Sequence, residues 1–259
     1  MKRINRIGEI RISNEGYEMK IVGYNEKDGI VIEFQDEYKT KINTWYTNFK
    51  NGNIKNPYHP SVYGVGCLGV GRYKSIDKNN KLTIEYVMWC NMLQRCYDAY
   101  FINSEKNITY KDVKVCKEWL NFQNFAKWYN ENKYGNEKLC LDKDILFKNN
   151  KIYSPNTCIL VPKRINILFT KSNSNRGKYP MGVYWRKDRN KFATQCSILD
   201  DNGKQKIKNL GLYNTPEEAF YVYKQFKESY IKQIAVEYRD LIPQKLYEAM
   251  HKYEVEIND

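Results

Sequence analysis

The sequence predicts an α+β protein built of consecutive modules: an N-terminal small β-barrel, a central helical region leading into a strand–strand–helix unit, and a C-terminal three-stranded sheet with one packed helix. Three observations predict it. Short apolar–polar alternations separated by turn residues fill residues 5–58 and return over 180–213. Aromatic residues at helical spacing dominate 85–131. A long amphipathic run with a capping signature follows the second group of strands. At 259 residues the chain has room for more than one core.

In residues 1–58 the runs EIRI, YEMKIVGY, GIVIEFQ and YKTKI are divided by SNEG, NEKDG and DE, and the NGNIKNPYHP turn cluster closes the module. Residues 59–84 hold a literal GxGxxG at Gly64, Gly66 and Gly69. A dinucleotide site requires that motif between a strand and a helix. Here a Pro-containing loop precedes it and Arg72-Tyr73-Lys74 follows, so the segment is expected to be a flexible connector.

Residues 85–175 form the next module. Trp89, Met92, Leu93 and Cys96 share one face of a helix over 85–98, and Trp119, Phe122, Phe125 and Trp128 or Tyr129 share one over 117–131. Residues 139–170 then read as strand, turn, strand and a helix opening at Pro162. Within 176–235, GVYWRK, KFATQCSIL and QKIKNLGLY give three strands. Thr215 and Pro216 open a helix that runs to about Tyr238. Beyond Pro243, residues 236–259 supply a short acidic helix.

The net charge of +13 points to a polyanionic partner. Residues 176–235 carry 12 Lys or Arg against 6 Asp or Glu, whereas 236–259 carry 3 against 6. Basic residues between 176 and 208, from Arg176 and Lys178 to Lys206 and Lys208, alternate with Tyr179, Tyr184, Trp185 and Phe192. Such a mixture suits a surface that follows phosphates and meets bases, although a solvated lysine-rich face would look similar.

Aromatics at 15% argue against disorder. No apolar run approaches the ~18 residues of a membrane span, and the N-terminal MKRINRIGEIRIS has no apolar signal-peptide core. No membrane partner and a cytoplasmic location are expected. The seven cysteines contain no CxxC pair, and the only histidines are His59 and His251, so reduced thiols and no structural zinc are expected.

Two segments carry a resemblance to known families. The letters GVYW, KFATQ and LGLYNTPEEAFYVY resemble the DNA-binding domain of plant ethylene-response factors, which phage endonucleases also carry. That family lays its three-stranded sheet in the major groove. The resemblance implies double-stranded DNA as partner and Tyr184, Arg186, Lys187, Arg189, Lys191 and Gln195 as contact residues. Trp185 fits either a stacking or a core position.

Residues 139–170 resemble the ββα-metal unit of HNH endonucleases found in phage proteins with the same two-part layout, and the helical lead-in over 85–131 resembles theirs. The positions that correspond to the family's site are Asp142, Lys143, Asn156 and Asn166. The resemblance implies Mg²⁺ or Mn²⁺ held by Asp142 and Asn166, where the ion would stabilise a leaving oxygen while water attacks phosphorus. It also implies the cytoplasm of a phage-infected bacterium.

Lys143 departs from the pattern, because the family places its general-base His there. An ordinary Lys pKa lies about four units above that of His, and flanking Asp142 and Asp144 favour the charged form. Lys143 fits an electrostatic stabiliser, or a fold retained after catalysis is lost, and LDKDIL also reads as an edge strand with exposed charges. Asp144 or solvent hydroxide is then the candidate base. The expected function is a metal-dependent DNA endonuclease. Its rival is a non-catalytic DNA-binding or counter-defence protein on a degenerate nuclease scaffold, with a host or phage protein as its target. The sequence leaves oligomeric state open.

Overall fold

A computed structural model describes residues 5–25, 29–104, 107, 110–170, 178–200 and 204–257. Arg176, counted above among the basic residues, lies outside them. The protein is α+β and divides into two compact units, Met1–Trp89 with Lys117–Ala126, and Cys90–Cys116 with Lys127–Asp259. No described helix is long and apolar enough to cross a membrane.

The first unit opens with strands β1 (Ile10–Ile12), β2 (Glu18–Asn25), β3 (Gly29–Phe34) and β4 (Lys41–Thr44), an antiparallel meander in the order β1-β2-β3-β4. The expected barrel is not formed. The three-residue β1 and four-residue β4 remain the two edges of an open sheet. One face follows the period-2 rule, with Met19 opposite Phe34 and Ile21 opposite Ile32, all fully buried. Helix α1 (Tyr46–Lys50), which the alternating pattern did not reveal, adds Phe49 to that core together with Ile54.

The glycine-rich segment carries hydrogen bonds of its own rather than running as a free connector. Cys67 N–H donates to Leu120 O and Phe122 N–H to Cys67 O, both at 2.9 Å. The Gln123 side chain donates to Leu68 O and Tyr73 O and accepts from Tyr73 N–H. A Cβ at Gly71 would lie 2.2 Å from Gln123 Oε1, and one at Gly69 2.3 Å from Asn121 Oδ1, so these glycines permit the close approach. Gln123→Ala removes three hydrogen bonds and should lower the stability of this unit by about 1–3 kcal/mol. Thermal denaturation of that variant reads the loss.

Helix α2 (Ile84–Tyr97) and helix α4 (Phe122–Asn132) lie where the aromatic stripes predict helices, with a 3₁₀ turn over Lys117–Leu120 before the second. Trp89, Trp119, Phe122 and Phe125 are buried, and the Trp89 indole N–H donates to Trp119 O at 2.7 Å. The division between the two units falls within both helices.

The second unit contains helix α3 (Ala99–Ile102), capped by Asp98, and strand β5 (Lys114–Val115). Strand β6 (Leu139–Asp142), strand β7 (Ile152–Tyr153), strand β8 (Ile159–Pro162) and helix α5 (Lys163–Leu168) follow. β6 pairs antiparallel with β8, and β5 pairs parallel with β7. Strands β9 (Val183–Arg186), β10 (Lys191–Leu199) and β11 (Gln205–Tyr213) form an antiparallel sheet in the order β11-β10-β9.

Helix α6 (Pro216–Glu237) starts with a complete capping box between Thr215 and Glu218. Helix α7 (Gln244–Lys252) begins after Pro243. It is shorter than the expected 236–259 helix and is not acidic itself: it carries Lys245 and Lys252 against Glu248, and the other acidic residues of the segment lie outside it.

One core is shared across what the sequence presents as separate modules. Ile159, Val161 and Ile165 from β8 and α5 meet Ile231 and Ile234 of α6 and Leu246 and Met250 of α7. A second core joins Val183 and Cys196 of the sheet to Ala219, Phe220 and Tyr223 of α6 and to Val255. All seven cysteines are free thiols, and burial pushes those of Cys96 and Cys158 up to about 12.

Candidate nucleic-acid interface

Strand pairing sorts the side chains of the three-stranded sheet onto two faces. Residues directly opposite each other share a face, and neighbours along a strand alternate. Phe192 stands opposite Trp185 and Tyr213, and Thr194 opposite Val183. With Cys196, these residues lie on the side that packs against α6. Trp185 therefore belongs to the packed side, where its ring meets Phe192 edge-on at 4.7 Å.

The other face is open. Lys191 stands opposite Arg186, and Ala193 stands between Tyr184 and Leu212. Gln195, paired with Asn209, continues it, followed by Ser197 with Ile207. Tyr184, Arg186, Lys191 and Gln195 thus project from one surface, with Tyr184 38% exposed. Lys187 and Arg189 are exposed in the tight β9–β10 turn beside that face.

Local bonds shape the charge at this end. Asp188 accepts from Arg186 Nε and Nη2, each at 3.0 Å, and lies 3.6 Å from Arg189 Nε. The Arg186 hydrogen bonds hold the Asp188 carboxyl below the usual range. Arg186 and Arg189 thus share the Asp188 carboxylate, and among the described residues no carboxylate pairs with Lys187. Lys191 Nζ donates to Asn214 Oδ1, which fixes its stem across the sheet edge.

Lys206 and Lys208 contribute less to the open face than the basic run suggests. Simple alternation through QKIKNLGLY would place Lys206, Lys208, Leu210 and Leu212 on one side. A bulge opposite Thr194 and Gln195 breaks that parity. Leu210 enters the core and Leu212 turns to the open face. Lys208 lies over the Phe226 ring of α6, and Lys206 pairs with Asp200 at 3.2 Å. Gly211, with φ +130°, marks the bulge and is the one signal of it in the sequence. Asn209, Ile207 and Leu212 are the open-face residues that sequence reasoning missed.

The residues expected at the hydrolytic centre are arranged differently. Asp142 ends β6, and its Oδ1 accepts from the N–H groups of Asp144 (2.8 Å) and Ile145 (2.7 Å). Burial pushes this carboxyl up, opposed by those two hydrogen bonds. Lys143 turns inward and is 7% exposed. Its Nζ donates to both Asp144 oxygens, at 2.8 and 2.7 Å, and to Asn150 O at 2.7 Å. Asn156 is exposed in the turn before β8, and Asn166 is half-buried on α5. Among the described residues, no hydrogen bond joins either asparagine to Asp142.

This donor set does not fit Mg²⁺ or Mn²⁺. A hard divalent ion takes about six oxygen ligands, usually including one or two available carboxylates. One oxygen of Asp142 already serves two backbone groups, and both oxygens of Asp144 serve an ammonium. The described residues include no group of three His, Cys, Asp or Glu side chains able to hold a metal. An ammonium whose donors point at Asp144 and Asn150 also has no free lone pair with which to take a proton from water.

No protein-family model, curated protein or solved structure matches this chain.

Proposed function

We propose that the protein binds double-stranded DNA through the open face of the β9–β11 sheet, and that the β6–β8–α5 segment serves as scaffold rather than as a hydrolytic centre. The observation that carries the proposal is the gathering of Tyr184, Arg186, Lys191 and Gln195 on one exposed face, beside a turn bearing Lys187 and Arg189. Two cations and two further side chains able to hydrogen-bond or stack offer both phosphate contacts and contacts to base edges. The resemblance of GVYW, KFATQ and LGLYNTPEEAFYVY to a DNA-reading sheet supports the same face. The scaffold reading is supported by the donor set around Asp142, where Asp142 Oδ1 and both Asp144 oxygens already accept hydrogen bonds.

A short fluorescent duplex titrated with the full chain tests both parts. Wild-type affinity should fall steeply with salt. Replacing Arg186 and Lys191 together by Ala should weaken binding about tenfold or more and flatten the log–log salt slope by about 1–2. Unchanged affinity and slope would rule out this face. Supercoiled plasmid should stay intact in Mg²⁺ or Mn²⁺, and nicking abolished by Asp142→Ala would overturn the scaffold reading.

A further inference from the structure

We propose that Lys143 is a built-in counter-cation: its ammonium, seated between the Asp144 carboxylate and the Asn150 carbonyl, organises the loop after β6 as a bound metal ion would, and makes that loop independent of metal. Three oxygens surround Nζ at 2.7–2.8 Å, matching the three protons of an ammonium. The side chain lies almost wholly inside, with Nζ 6.0 Å from the centroid of the Tyr153 ring.

Asn150 reciprocates. Its Nδ2 donates to Lys143 O (3.0 Å) and Ile152 O (2.7 Å), and its Oδ1 accepts from Ile152 N–H (3.1 Å). Residues 143 and 150 are thus tied twice, side chain to backbone in each direction. Asn149, at φ +61°, supplies the left-handed residue that turns the chain between them.

The loop so formed has a structural task. Lys148 projects from it, donates to Glu254 O (3.0 Å) and Glu256 Oε1 (2.8 Å), and lies 5.5 Å from the centroid of the Tyr253 ring. Tyr253 packs edge-on against Phe169, and Val255 enters the core beneath the three-stranded sheet. The ammonium at 143 therefore holds a loop that anchors the C-terminal segment. A divalent ion in the same place would have to displace the ammonium or sit beside it against its charge.

The proposal goes beyond duplex binding and is read by different measurements, so either can fail alone. Lys143→Met keeps the length of the stem but leaves Asp144 and Asn150 O without their cation. It should lower Tm by about 2–6 °C, because water reaches the half-exposed Asp144 but not the seat of the ammonium, and speed amide exchange at Asp144, Ile145 and Val255. Asp144→Asn, which keeps an oxygen acceptor, should lower Tm by a smaller amount. Wild-type Tm should be equal in EDTA, Mg²⁺ and Mn²⁺ at matched ionic strength, and Mn²⁺ followed by paramagnetic resonance should show no saturable site. A saturable Mn²⁺ site lost in Asp142→Asn would overturn the proposal, as would a Lys143→Met protein melting at the wild-type temperature. If Lys143→Met does not fold, the Mn²⁺ titration and the Asp144→Asn melt decide: an unchanged Tm in Asp144→Asn overturns it.

Discussion

Leu246→Ala is expected to lower the melting temperature by about 5–15 °C, and to loosen the β6–β8–α5 segment and the three-stranded sheet together. Leu246 on α7 is fully buried in the core that also holds Val161, Ile165 and, from α6, Ile231 and Ile234. Truncating a buried Leu costs about 2–5 kcal/mol, from lost transfer free energy plus the cavity left behind. At a chain size near 250 residues each kcal/mol moves Tm by about 2–4 °C. Since α6 carries both this core and the one beneath the sheet, the damage should not stay local. Amide exchange at Val161 and at Cys196 should therefore accelerate in parallel. Acceleration at Val161 alone would show that the sheet and its helix fold as an independent module.

Lys227→Met should have the opposite sign, raising Tm by about 3–8 °C at neutral pH. Lys227 sits on the buried side of α6, 9% exposed, in a pocket with Leu168, Met181, Tyr223 and Val255. Among the described residues no carboxylate pairs with it. Burial lowers the pKa of its amine, opposed by Cys196. The unfolded chain, with its amine near 10.5, then binds the proton more tightly than the folded one. The burial penalty is present in full below the folded-state pKa and fades as pH rises towards the unfolded value. Met is of similar length and has no charge to desolvate, so it escapes the penalty. Melts of the two proteins at pH 7 and pH 10 should show the variant's advantage shrinking at the higher pH. A gap of constant size would mean that the amine is not the cause.

Much of the architecture is legible in local residue patterns. Alternation in EMKIVGYN and GIVIEF locates two strands and their inward faces, because a half-buried strand needs an apolar residue at every second position. Thr215, Pro216 and Glu218 announce the start of α6 through side-chain-to-backbone bonds only a few residues apart. On the sheet, Tyr184 and Arg186 fall on the open face by the same two-residue period.

What local patterns miss is long-range. Nothing in residues 5–58 says whether the two edges of the meander will meet, and they do not. The glycines at 69 and 71 suggest freedom until Asn121 and Gln123, some fifty residues away, occupy the space against them. The parity of Lys206 and Lys208 depends on one bulge, so a basic run in the sequence is a smaller basic surface in the fold.

The sequence by itself determined the longer strands of the two sheets, the long helices, the start of α6 and an excess of positive charge. Each of these depends on residues within a turn or two of one another. Tertiary structure decided which cations face solvent and which are spent inside. Arg186 and Lys191 stand on an open face, while Lys143 and Lys227 are buried by chain that returns from elsewhere. The physical reason is that a charge is worth what its surroundings make it: the same ammonium is a hydrated surface charge in water and, between Asp144 and Asn150, a cross-link of the loop.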